Sequence, residues 1–140
     1  MTDGIEERYR HGDSEERIAV LQELNRHAWG PTSLSDEGRA AGVAVVRDAL
    51  RSNEPRLVES AMGAFAGRYL GDHDWRHGVM KLVFMGVPLT AVDRLVDRRD
   101  PELARMAEDL AEEREAAGRP IPDDLRSLLP AARAPREEGR

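Results

Sequence analysis

Asp74, His77 and Lys81 stand three and four residues apart, so in a helix they share one stripe. Together these side chains can do acid–base chemistry. Histidine titrates near neutrality, and a lysine drawn out of water loses its proton readily enough to act as a base or an imine-forming amine. The residues around them, Val79, Met80, Leu82, Val83, Phe84 and Met85, are apolar in almost every direction about the axis. A helix apolar all round is buried, and a buried charge is costly unless it is paired. The stripe is then a working site, or it reaches the surface at one edge, or it is a structural cluster in which Lys81 pairs with an acid such as Glu59 of the preceding helix. Lys81 is the only lysine among 21 Lys and Arg residues, which inclines the reading slightly toward function. Tyr69, Trp75, Phe84 and Met85 are the candidates to line a ligand pocket beside these groups, and core packing accounts for them equally well. His73 and His77 have the spacing of two imidazoles on one metal, but a third ligand is missing. No metal and no other cofactor is therefore expected. No Gly-rich phosphate loop, nucleophile elbow or HExxH motif is present.

The elements that must position these residues are helices. Aromatic residues make up 4% of the 140, and alternating runs of β-branched residues are nearly absent. The expected fold is all-α, a compact bundle or short αα-stack of about five to six helices. The chain has no cysteine, so disulfides, thiolate nucleophiles and cysteine-type zinc sites are excluded. Its net charge of −6 is interleaved rather than blocked, which gives nucleic-acid binding no support. The first ten residues are acidic and polar, unlike a signal peptide. The longest apolar stretch, Val79 to Leu89, is too short to span a bilayer, so a cytoplasmic protein without membrane insertion is expected. The preference for arginine is of the kind an actinobacterial, GC-rich genome produces.

Residues 1–12 show no periodicity and read as a loose lead-in, 13–129 as one helical domain, and 130–140 as a disordered tail. Asp13 and Glu16 form a capping box for a first helix, with Ile18, Leu21, Leu24 and Ala28 on one face and Gly30-Pro31 as the stop. Ser33 or Ser35 starts a second helix that carries Ala40, Val43, Ala44, Arg47 and Leu50 round to about Arg51; the small Ala41, Gly42 and Ala44 let a neighbour come close. Asn53 and Pro55 start a third, expected to run to Leu70-Gly71, with Leu57, Val58, Ala61, Met62, Phe65 and Tyr69 on its apolar face. Asp72 or Asp74 caps the fourth, Trp75 to Met85, which Gly86 stops. Thr90 starts a short fifth segment through about Arg98. Asp100-Pro101 starts an amphipathic helix that Gly118 ends, and Pro122-Asp123-Asp124 opens a last turn to Leu129.

The stretch from Arg51 to Leu129 resembles the C-terminal part of the EboA family of bacterial proteins. The resemblance is carried by Arg51-Ser52-Asn53, by the run from Trp75 to Leu89, by Asp97 to Met106, and by Glu113 to Pro120. In that family the lysine and a Phe-x-Gly-x-Pro-Leu turn are fixed features, which places Lys81, Phe84, Gly86, Pro88 and Leu89 at a shared centre. The resemblance implies a setting in specialised metabolism, beside a prenyltransferase-like membrane protein, a sugar-phosphate-cyclase-like enzyme and isomerase- or hydrolase-like proteins. It implies a small helical protein of natural-product biosynthesis that binds a small-molecule intermediate or a pathway enzyme. Two alternatives stay open: a cofactor-independent cyclase, isomerase or lyase using Lys81, His77 and Asp74, and a structural docking subunit. The expected partners are a metabolite or a pathway protein, with a homodimer also open.

Overall fold

The computed structural model describes residues 4–29 and 34–130. The Gly30-Pro31 stop, the Ser33 cap and the tail from residue 131 onward lie outside the described residues. Among the described residues there is no strand, and the all-α expectation holds. The helices are α1 (Ile5–His11), α2 (Ser14–Arg26), α3 (Asp36–Ala49), α4 (Pro55–Ala61), α5 (Ala64–Tyr69), α6 (Asp72–Met85), α7 (Leu95–Arg98), α8 (Pro101–Ala116) and α9 (Asp123–Leu128), with a 3-10 turn at Leu89–Ala91. The chain divides into two compact units, residues 1–95 and 96–140. In the second, α8 packs on α9 and buries Leu103, Ala107, Ala111, Leu125 and Leu128.

Local chemistry sets several helix ends. Asp13 accepts a hydrogen bond from the Glu16 N–H at 2.9 Å while its own N–H donates to the Glu16 carboxylate at 2.8 Å. Ser35 accepts from the Gly38 N–H, and Asp100, followed by Pro101, accepts from the Leu103 N–H. Gly86 and Gly118 adopt φ of 79° and 72°. Their left-handed turns let Val87 N donate to Leu82 O at 2.9 Å and Arg119 N to Arg114 O at 2.8 Å, which satisfies carbonyls the helices leave over.

Within the expected loose lead-in of residues 1–12, residues 5–11 form a helix. Ile5 and Tyr9, four apart, are buried on α1, which packs against α2 and α3. Seven residues hold one such pair, too few for a period to show. Arg17 of α2 fixes the end of α1: its Nε donates to Tyr9 O at 2.8 Å and Nη2 to Arg10 O at 3.0 Å, with the guanidinium 5.0 Å from the Tyr9 ring centroid.

Helix α3 turns a face that includes its small Gly42 inward. Gly38, Gly42, Val45, Val46 and Ala49 are buried, whereas Ala40, Ala44 and Arg47 are exposed. The cause is a close approach at Gly42, where an added Cβ would lie 2.4 Å from Phe65 Cζ and 2.9 Å from Leu24 Cδ2.

The expected single helix from Pro55 to Tyr69 is broken between α4 and α5 at Met62-Gly63. Asn25 of α2 sits in the break. Its Nδ2 donates to Ser60 O at 3.0 Å, and Phe65 N donates to its Oδ1 at 2.9 Å, so one amide satisfies a backbone group on each side. A Cβ on Gly63 would stand 2.5 Å from Asn25 Nδ2, so glycine makes the room. Leu57, Val58, Ala61, Met62 and Phe65 still face the core.

Helix α6 is not buried all round. Trp75, Gly78, Val79, Leu82 and Val83 turn inward, while Phe84 is 73% exposed. It packs on α4, with Gly78 against Met62, where a Cβ would meet the sulfur at 2.3 Å. The apolar residues beyond the inward stripe are half-buried at Met80 and Met85.

Candidate functional site

Helix α6 does place Asp74 and Lys81 on one side, and both reach α3. The Asp74 carboxylate pairs with Arg47 Nε at 3.1 Å. The Lys81 ammonium donates to the Leu50 carbonyl at 2.6 Å, at the C-terminal cap of α3. Glu59 is not its partner. The final carbonyls of a helix lack intrahelical donors and form the negative end of its dipole, so an ammonium there is favoured. His77 is exposed and stacks on His73, with ring centroids 4.3 Å apart at 51°. No hydrogen bond or ion pair among the described residues joins Asp74, His77 and Lys81 to one another, and none of their neighbours forms a metal-holding group of three acidic or histidine side chains.

The proposed lining residues are likewise separated. Trp75 is 1% exposed in the core, Phe84 faces solvent, and Met85 is half-buried. Tyr69 lies against Phe65, centroids 5.0 Å apart, with the Arg68 and Arg39 guanidiniums 5.0 and 5.7 Å from its ring. A further aromatic, Trp29, is 46% exposed beneath Arg68 at 4.4 Å and Arg94 at 5.3 Å. Arg94 alone among the described non-glycine residues has a positive φ, 63°.

Lys81→Met removes a charged donor from the Leu50 carbonyl. It is expected to lower stability by about 1–3 kcal/mol, the range for a lost charge-assisted hydrogen bond. Urea titration with an unchanged midpoint would show that the carbonyl is served as well by water.

Polar side chains converge elsewhere. A cleft of about 270 Å³ opens where α1, α2 and α3 meet. Helix α1 contributes Glu6, Tyr9 and Arg10, and α2 contributes Arg17. Ala44, Val45, Asp48 and Arg51 line it from α3 and the turn after it. Arg51 and Asp48 form an exposed pair at 3.2 Å, which is worth little by itself and is free to rearrange. The side chains of Glu6 and Arg10 make no hydrogen bond or ion pair among the described residues. Sequence reasoning missed this cleft because it took α1 for a loose segment. A signal was present: Glu6 and Glu7 in the first turn and Arg8, Arg10 and His11 in the last match the polarity of a helix dipole.

Burial pushes the Tyr9 phenol above its ordinary value of 10.0; the Asp48 charge adds to this and the Arg17 charge opposes it. The hydroxyl is thus a neutral donor and acceptor in the physiological range. Because folding raises this pKa, its contribution to stability is complete below pH 10 and is lost as pH climbs through the folded value. Thermal melts across the alkaline range should therefore fall more steeply for the native chain than for Tyr9→Phe; parallel curves would refute the assignment.

A family model described as metabolite traffic protein EboA matches residues 3–130, so the likeness extends through α1 to α3 as well as the segment from Arg51 to Leu129. No curated protein and no solved structure matches the chain.

Proposed function

The chain belongs to the EboA family, and on that premise we propose that it binds a small-molecule intermediate of a bacterial specialised-metabolite pathway in the cleft between α1 and α3. The observation that carries this reading is the cleft itself: about 270 Å³, lined mainly by polar side chains that include a guanidinium and a carboxylate with no partner among the described residues. That volume lies at the small end of ligand sites, and convergent polar groups are what fix a ligand's orientation. A family described by metabolite traffic fits binding and release without conversion. The compartment proposed is the cytoplasm, in keeping with a chain that has no cysteine.

The test is to incubate the purified protein with a small-molecule extract of host cells, desalt it, and identify what is released by mass spectrometry. Ala44→Trp fills the cleft from an exposed position and leaves the core alone. A compound retained by the native chain and lost in this variant supports the reading; equal retention by both refutes it.

Acid–base catalysis by Lys81, His77 and Asp74 has less support, because Lys81 and Asp74 are engaged with α3. A second reading, docking of a pathway enzyme, draws on Phe84, whose ring is 73% exposed on the outer side of α6. Phe84→Ser would then weaken binding to that purified enzyme, and Ala44→Trp would not. Sedimentation of the native chain alone distinguishes a second copy as the occupant.

A further inference from the structure

We infer that the ligand of the α1–α3 cleft is a small organic acid that also carries an O–H or N–H donor, as a hydroxy acid or an amino acid does; this rests on the cleft being the binding site. The charges lining the cleft are three guanidiniums, Arg10, Arg17 and Arg51, against two carboxylates, Glu6 and Asp48. The excess is one positive charge. A hydroxy acid, with one net negative charge, balances it; a zwitterionic amino acid does not but presents the same carboxylate, and guanidinium recognises a carboxylate through short, charge-assisted hydrogen bonds.

The donors are not equally available. Arg17 directs Nε and Nη2 to the carbonyls of Tyr9 and Arg10, so it contributes charge and a rigid end to α1. Arg10 has no such engagement of its side chain, and Arg51 holds only an exposed carboxylate at 3.2 Å. These two are the groups that can take up a ligand acid. Glu6 imposes the second requirement. An ionised carboxylate only accepts hydrogen bonds, so a ligand that left Glu6 facing a bare acid or a hydrocarbon would meet repulsion or an unsatisfied charge. A hydroxyl or ammonium on the ligand satisfies it. The Tyr9 hydroxyl, kept neutral, serves either ligand group. Ala44 and Val45 add an apolar wall suited to a short carbon skeleton. A polyphosphate does not fit this pattern, because it brings several negative charges and no donor to Glu6.

The experiment is a ¹H–¹⁵N NMR titration of the full chain with lactate, alanine, propionate and glycerol as probes. Each probe keeps three carbons and varies the acid and the donor. Lactate and alanine are expected to give saturable shifts in the amides of α1 and α3, with propionate and glycerol each about tenfold weaker or more, since propionate lacks the donor to Glu6 and glycerol lacks the acid. Arg10→Gln should weaken both lactate and alanine by about tenfold or more, while Glu6→Gln should weaken alanine more than lactate. Propionate binding as tightly as lactate, or Arg10→Gln leaving lactate unchanged, overturns the inference. Saturable binding of glycerol alone at these amides overturns the acid class and leaves the cleft standing as a site. Shifts confined to other helices, or none at all with any probe, overturn both.

Discussion

Gly42→Ala is expected to destabilise the amino-terminal unit by about 1–3 kcal/mol, the usual cost of forcing an extra methyl into a packed core. The added carbon would fall 2.4 Å from Phe65 Cζ and 2.9 Å from Leu24 Cδ2. Neither neighbour has slack. Phe65 is 0% and Leu24 1% exposed, and an aromatic ring cannot bend away at its tip. The two positions should therefore be coupled. Phe65→Leu removes the atoms that clash, so the double variant should cost less than the two single changes added, by about 1 kcal/mol. Urea unfolding of the four proteins reads this directly. Strict additivity would mean that α3 moves aside when Gly42 gains a side chain.

Asn25→Ala should cost about 2 kcal/mol or more, although the side chain lies at a half-buried position on α2. Its amide is the partner of two backbone groups that no helix supplies, Ser60 O and Phe65 N. Alanine leaves both without a partner, and an unmade hydrogen bond costs more than a made one gains. Hydrogen exchange sharpens the test. The Phe65 amide should exchange at least about tenfold faster in Asn25→Ala. Asn25→Asp keeps the acceptor for Phe65 N but loses the donor to Ser60 O, so it should protect that amide while still lowering stability. An unchanged Phe65 exchange rate in the alanine variant would show that Asn25 does not hold the break.

The contrast between these two sites and the helix caps explains what the sequence made legible. Asp13 with Glu16, Asp100 with Pro101, and the stops at Gly86 and Gly118 depend on residues within one turn of each other, and each appears where local pattern places it. The break at Gly63 depends on Asn25, whose bonds span 35 and 40 residues, and no local pattern announces that. The face of α3 follows from where Phe65 arrives, a packing fact. Helix α1 is too short for its single Ile5–Tyr9 pair to register as periodicity. For the candidate groups, the spacing correctly put Asp74 and Lys81 on one side of α6. It could not reveal that Arg47 and the Leu50 carbonyl wait there on α3. The cleft was hidden for the same reason as α1, since half its lining comes from that helix and the residue that caps it.

The two tryptophans occupy opposite extremes of environment, and this gives the protein a built-in optical readout. Trp75 is sealed in the core at 1% exposure, whereas Trp29 is 46% exposed with a guanidinium 4.4 Å from its ring. Emission from the first should be blue-shifted and shielded from a dissolved quencher, and emission from the second red-shifted and open to it. Excitation of the unlabelled chain thus reports two places at once. Loosening around α6 would appear as a growing quenchable fraction, while an event at the outer face of α5 would change the red component alone.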